Sequence, residues 1–346
     1  MRKFITKLFF LACIPVLLMA VPSYLYLKRD VYQDFGRHKN YSWTYSFQQL
    51  GDIGTKKLLG NAAYKYNSFI FGSSRTTGIY ACYLQQKIPN ARFFHYANWN
   101  ESIGGIYEKL KLLDSLHYEI NNVVIYVDTD FTFDGDGKCH SSDHYLLTGN
   151  SEKEYMLSHY RSFFTSFNMD KLRILCGRHV SGGMFPNWQS DVITNDCNHN
   201  CADTTVLADY GHVQHDEQLR HKIDSLKKAG ILYARSAALT FKEKQISAGE
   251  EQMLLGIKRI FDKHATNYYV IITPLYDQKK FNPADQQLLT RCFGPHLYDF
   301  SGINRFTADP DNYPDGKHFQ PYISKLIMDS VISGKNNNLQ MQMTRL

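Results

Sequence analysis

Residues Ser68-Phe69-Ile70-Phe71-Gly72-Ser73-Ser74-Arg75-Thr76 form an apolar run of strand length that stops at glycine and serine and passes into a helical stretch expected over about 76–87. Working outward, similar runs recur at Arg92 to Tyr96, Val123-Val124-Ile125-Tyr126-Val127, Tyr268 to Ile272 and His296 to Tyr298. The run at 123–127 shows no polar alternation, as expected for a strand covered on both faces. Amphipathic stretches lie between them, at about 103–117, 241–264, 283–292 and 320–333. In the first, Ile106, Leu110, Leu113 and Leu116 recur at three- and four-residue steps and are expected to bury one face. Strands alternating with helices point to βαβ units, a parallel sheet and an α/β fold.

The chain has 346 residues, 43% hydrophobic and 21% charged, enough for one large core rather than a disordered polymer. Its formal charge is +6. Arg2, Lys3, Lys7, Lys28 and Arg29 supply five of those charges, so the body is nearly neutral and gives no support to a nucleic-acid-binding surface. Between these basic flanks, Leu8 to Leu27 carries no charge, and roughly twenty apolar residues can span a bilayer as a helix. The reading adopted is an uncleaved anchor over 1–30. A cleaved signal peptide and lipidation at Cys13 are the alternatives. A short N-terminal tail in the cytoplasm would leave the body outside it.

The expected organisation is the anchor, a linker over 31–64, a domain over 65–334 and a disordered tail over 335–346. An insertion at about 135–215, with a helix at 151–165, is rich in His and Cys, and a helix at about 215–228 follows it. Cys139, His140, His144, Cys197, His199, Cys201, His212 and His215 there include zinc-ligand types. With Cys82, Cys176 and Cys292 the body holds six cysteines, enough for up to three disulfides outside the cytoplasm. Disulfides or free thiols are the reading taken, with a metal site as the alternative, and no metal or cofactor is expected. Asp134-Gly135-Asp136-Gly137 reads as a solvated turn, since it lacks the glutamate that closes a calcium loop. Among the 24 Tyr, 22 Phe and 3 Trp, most are expected in the core. Trp99 and Trp188 fall in loops where a ring could stack on a sugar.

Two segments carry candidate chemistry. Gly72-Ser73-Ser74 places Ser74 at the C-terminal edge of a strand, where open parallel sheets bind ligands, although Ser74 could equally cap the helix. The segment is not the G-x-S-x-G elbow, because it lacks the closing glycine. At the other end, Asn312-Tyr313-Pro314-Asp315-Gly316-Lys317-His318-Phe319 sets Asp315 three residues before His318. There the acid can orient the imidazole and the imidazole can serve as base to a serine.

In this order and context the two segments resemble the blocks of the SGNH (GDSL-like) hydrolase superfamily. With the anchor and Asp299-Phe300-Ser301-Gly302, the chain looks closest to its membrane-anchored O-acyltransferase-like and D-alanylation-protein-like members. The resemblance implies a flavodoxin-like α/β/α sandwich with Ser74 as nucleophile, His318 as base and Asp315 as orienting acid. Gly72 and Ser73 fill the first two places of the serine block. In that family the oxyanion is held by the serine N–H and by donors after the second and third strands. By spacing, Asn100 falls nearest the first of these, and Asp128 stands where the family often has asparagine. Since a carboxylate cannot donate, this departure implies weaker catalysis, a different donor such as Arg75 or Asn98, or a reaction with a distinct substrate. The implied activity is esterase or O-acyltransferase on acyl, chiefly acetyl, esters of a cell-surface glycan, with a non-catalytic scaffold or glycan-binding subunit as the alternative. The expected partners are the lipid bilayer, a glycan or acyl donor and, for transfer, a membrane-bound acyl-transfer protein.

Overall fold

The computed structural model of the chain describes residues 2–29, 54–60, 64–139, 144–149, 152–177 and 217–334. Its strands are β1 (Ser68–Phe71), β2 (Phe93–His95), β3 (Asn122–Val127), β4 (Thr240–Phe241), β5 (Asn267–Ile272), β6 (Lys279–Lys280) and β7 (Leu297–Asp299). Five of them form one sheet in the order β2-β1-β3-β5-β7, and every pair is parallel. The register sets Phe69 beside Val123 and Ile271 beside Tyr298. The short β4 and β6 pair with each other, a ladder that no apolar run announces.

Helices before the second half are α1 (Arg2–Arg29), α2 (Gly54–Gly60), α3 (Ala81–Lys87), α4 (Ile103–Ser115), α5 (His144–Leu147), α6 (Glu152–Thr165) and α7 (Met169–Leu175). Then come α8 (Glu217–Lys228), α9 (Ala248–His264), α10 (Pro283–Phe293), α11 (Arg305–Ala308) and α12 (Pro321–Ile332). Alternate strand residues separate two cores. Phe69, Phe71, Val123, Ile125, Val270 and Ile272 pack with Ile106 and Leu110 of α4, Leu254 and Ile257 of α9, and Leu289 of α10. On the other side Ile70, Val124, Tyr126 and Ile271 pack with Leu84 of α3 and with Ile323, Ile327 and Val331 of α12. Helices therefore cover both faces of the sheet, which is why its strands read as unbroken apolar runs.

Local chemistry fixes the helix starts. The Ser102 hydroxyl accepts from Gly105 N at 3.2 Å and opens α4. Ser247 and Glu250 form a reciprocal capping box at the head of α9, so this helix begins at Ala248 and not near 241. The helix expected over 76–87 is broken: a 3₁₀ turn at Ser74–Gly78 precedes α3. Leu116, expected on the buried face of α4, lies past its end and is 45% exposed.

The expected insertion contributes α5, α6 and α7. Tyr26, near the end of α1, packs against Phe163, Ile174 and Leu175, and the Ser23 and Tyr160 hydroxyls are 2.6 Å apart. Farther up α1, Leu17, Leu18, Met19 and Val21 are exposed. Among the described residues no helix is long and apolar enough to cross a membrane. The side chains at 2, 3, 5–12, 15 and 16 are outside those residues. Most of the linker, the tail, and His140, Trp188, Cys197, His199, Cys201, His212 and His215 also lie outside them.

Candidate active site

The serine turn is shaped by Gly72, which takes φ +139°. A Cβ there would stand 2.8 Å from Thr76 Cγ2 and 2.9 Å from the Tyr126 carbonyl oxygen, so only glycine fits. Ser73 is the residue that caps the turn: its Oγ accepts from Arg75 N at 3.4 Å and donates to Asp128 Oδ2 at 3.3 Å. That leaves Ser74, the first residue of the turn, free of a capping role. Its backbone N–H has no carbonyl partner within the turn.

Ser74 Oγ lies 2.7 Å from His318 Nε2. On the far side of the ring, Nδ1 is 2.6 Å from Asp315 Oδ2. A carboxylate only accepts, so Nδ1 carries the proton in the neutral ring and Nε2 accepts from the serine. Asp315 Oδ1 accepts from the backbone N–H of both Lys317 and His318, at 2.8 and 2.7 Å. Burial pushes the Asp315 carboxyl up, but the bonds and charge of His318, with those two N–H groups, outweigh it and bring its pKa to about 2. The three residues are thus joined in one hydrogen-bonded line across 244 residues of sequence.

Arg75 ties the loops of this site together. Its guanidinium is 2.7 Å from Asp128 Oδ2 and 2.7 Å from Asp130 Oδ2, and its Nε donates to the Lys317 carbonyl at 3.3 Å. Burial works against its charge, yet the two aspartates outweigh it and its pKa is raised. The arginine is committed to these partners and acts as a brace between the β1, β3 and His318 loops. Asp128 is nearly sealed off: Oδ1 accepts from Asp130 N and Phe131 N at 2.9 and 2.8 Å, and Oδ2 takes Ser73 and Arg75. It holds the serine turn in place as an acceptor. Asn98 is buried, and its backbone N–H is spent on the Gly72 carbonyl at 3.2 Å; only its side-chain amide is available as a donor. Asn100 is exposed, with φ +49°, so of the two Asn98 is the one fastened to the serine turn.

Beside the triad opens a cavity of about 180 Å³ lined by Arg75, Asp130, Tyr233, Tyr276, Asp277 and Lys317, among others. A larger one of about 390 Å³ lies near Lys87, Arg305 and Asp329; the smaller is the one that adjoins the site, through Arg75, Gly316 and Lys317, the chain neighbours of Ser74, Asp315 and His318. Tyr233 and Tyr276 meet edge to face with ring centres 5.4 Å apart. Sequence reading missed both, since nothing in the 217–241 or 273–280 segments marks a tyrosine as wall rather than core. Trp99 is half-buried next to Ala97.

Of the body cysteines, Cys82 is disulfide-bonded, to a partner outside the described residues. Cys139, Cys176 and Cys292 form no disulfide, so among the described residues only Cys82 is bridged. In the acidic turn, Asp134 Oδ1 accepts from Asp136 N and Gly137 N at 3.2 and 3.0 Å, as in a self-bonded turn.

His95, at the end of β2, secures the serine turn from below, with Nε2 3.0 Å from the Thr76 carbonyl oxygen. Burial, partly opposed by that bond and reinforced by Lys109 and Lys57, lowers its pKa to about 4. The unfolded value is about 6.5. The folded state therefore binds fewer protons between these values, and stability present above pH ~6.5 is lost as pH falls toward 4. The expected loss is about 3 kcal/mol. Urea midpoints measured from pH 7 to 4 should show it, and His95→Gln should flatten the slope; an unchanged slope would mean that another group titrates.

No protein-family model matches this chain, and no curated protein matches it significantly.

Proposed function

We propose that this chain is a membrane-anchored, extracytoplasmic serine esterase or O-acyltransferase of the SGNH type, with a flavodoxin-like α/β/α domain, acting on acyl esters of a cell-surface glycan. The observation that carries the reading is the line Ser74 Oγ to His318 Nε2 to Asp315, at 2.7 and 2.6 Å. Its position agrees with it, at the C-terminal edge of a parallel sheet whose order β2-β1-β3-β5-β7 reverses direction at β1.

In the reaction, His318 Nε2 takes the proton of Ser74 Oγ as the oxygen attacks the ester carbonyl. The oxyanion is held by the Ser74 N–H and the Asn98 amide. Collapse expels the alcohol, which leaves with the proton from His318, and an acyl-serine remains. Water or a sugar hydroxyl then gives its proton to His318 and attacks the acyl carbonyl, which restores the serine. The cavity beside the triad suits a polar substrate such as a sugar, since Arg75, Asp130, Asp277 and Lys317 in its lining can bond hydroxyl groups. A bilayer partner for α1 is supported by the exposed apolar side chains at 17–19 and 21. The extracytoplasmic side is supported by the disulfide at Cys82. For transfer, a membrane-bound acyl-transfer partner would supply the acyl group.

One observation favours a second reading, a non-catalytic scaffold: Asp128 stands where a donor is wanted and is held as an acceptor. A fluorophosphonate probe separates the two. The full chain in detergent should be labelled on Ser74, and Ser74→Ala and His318→Ala should abolish the label. A folded chain left unlabelled would favour the scaffold.

A further inference from the structure

Away from the triad, on the opposite face of the sheet from α12, the structure brings together Glu108 of α4, Cys139 of the loop after β3 and His144 at the start of α5. Their carboxylate, thiol and imidazole ligand atoms all lie within 4.8 Å of one another. His144 Nδ1 is 3.1 Å from Glu108 Oε2. Cys139 is buried and free of any disulfide, whereas Glu108 and His144 are partly exposed. We propose that these three side chains bind one divalent transition-metal ion, zinc by the character of the donors, which clasps the inserted helices to the α/β core.

The geometry is close to what such an ion requires. Ligand atoms held 2.0–2.3 Å from a tetrahedral zinc stand roughly 3.3–3.8 Å apart. The nitrogen-to-oxygen edge is already that short, at 3.1 Å, and the sulfur lies within 4.8 Å of both other atoms. Sulfur, nitrogen and oxygen together suit a borderline-soft ion and are poor company for magnesium or calcium.

The site is also built in advance of the ion. The 134–139 loop lies directly on α4 because Gly104 has no side chain: a Cβ there would overlap the Gly137 carbonyl, and next to it a Cβ on Gly105 would be in ordinary contact with Cys139 Sγ at 3.5 Å, which places the thiol against α4. Ser102 Oγ donates to the Lys138 carbonyl at 2.6 Å, and Gly135 N donates to Glu250 Oε1 of α9 at 3.1 Å. The loop is thus pinned to two core helices, and Cys139 comes to rest about one turn from Glu108. His144 then arrives from α5, the first described helix of the inserted segment. An ion shared by α4, the loop and α5 fixes where the insertion leaves the core.

Equilibrium dialysis of the full chain against zinc, followed by metal analysis, should find one equivalent. Cobalt in its place should show the thiolate-to-cobalt absorption that only a sulfur ligand gives. Changes outside the ligand set already weaken metal sites by roughly 10–100-fold. Cys139→Ser, His144→Ala and Glu108→Gln should each therefore weaken zinc at least tenfold, while Cys176→Ser, at an exposed free cysteine, should not. Should Cys139→Ser fold poorly, alkylation of the native chain gives the same answer: zinc should shield Cys139 from iodoacetamide and leave Cys176 reactive. Absence of stoichiometric zinc, or stoichiometric binding with no cobalt–thiolate band and no shielding of Cys139, would overturn the assignment.

Discussion

Replacing Ser74 by alanine is expected to lower kcat for acetyl-ester hydrolysis by on the order of 10⁴–10⁶. The nucleophile has no substitute within reach, because Ser73 Oγ is held by Arg75 N and Asp128. His318→Ala should cost nearly as much, and the double variant little more than either single one, since the two groups act in one proton transfer. Asp315→Asn is the informative member of the set. It should keep the fold and lose roughly 10⁴ in kcat, because an amide can bond the ring in the wrong tautomer. With a pKa near 2, Asp315 is ionised at every pH where an ester assay is practical, so its titration will not appear in the rate profile. Its contribution to stability is complete above the ordinary carboxyl value near 4 and is lost only as pH falls toward 2. Steady-state kinetics on a nitrophenyl acetate with the full chain in detergent reads all four variants. Activity unchanged in Ser74→Ala would sink the triad.

The triad was legible because both of its halves are short segments, each recognisable by local order. A serine after an apolar strand and a glycine needs only 68–74, and Asp315 with His318 needs only four residues. The main strands were legible for a related reason: 69–71, 123–127 and 268–272 are apolar on both faces because helices cover both sides of the sheet. What could not be read depends on partners far apart in the chain. Arg75 was placed as a candidate donor, yet its charge is claimed by Asp128 and Asp130, 53 and 55 residues on, and its Nε by the Lys317 carbonyl. The break in the helix expected at 76–87 has the same origin. Gly78 lies so close to α12 that a Cβ would stand 2.9 Å from Ser324 Oγ and 3.1 Å from Pro321 Cα, and a sequence window over 76–87 contains neither neighbour. Tyr233 and Tyr276 become a cavity wall only when the 3₁₀ turn, the β5 loop and the segment after α8 converge.

Asp128→Ala is expected to be the most destabilising single change at the site, by about 3–5 kcal/mol, because it leaves Arg75 short of a partner inside the protein. The side chains of Arg75 and Asp128 are only 4% and 2% exposed, so water cannot replace the lost carboxylate. Asp130 would remain, but it is 30% exposed and is shared with Lys242 at 3.1 Å. Asp128 also accepts from Asp130 N and Phe131 N, and alanine would strand both donors. Asp128→Asn keeps one acceptor oxygen for them and should cost less than alanine, while it still forfeits the charge. Replacing both members of the pair, as in Arg75→Met with Asp128→Leu, should recover part of the loss, since no unpaired charge would then remain between the loops. The serine turn hangs on the same carboxylate through Ser73, so Asp128→Ala should also lower kcat by misplacing Ser74, whereas an effect on KM alone would mean that Arg75 serves substrate binding and not position. Urea unfolding of the three variants beside the unaltered chain measures the first effect. A cost for Asp128→Ala of under about 1 kcal/mol, the range of surface pairs, would show that the brace contributes nothing and that the serine turn is held by Gly72 and His95 alone.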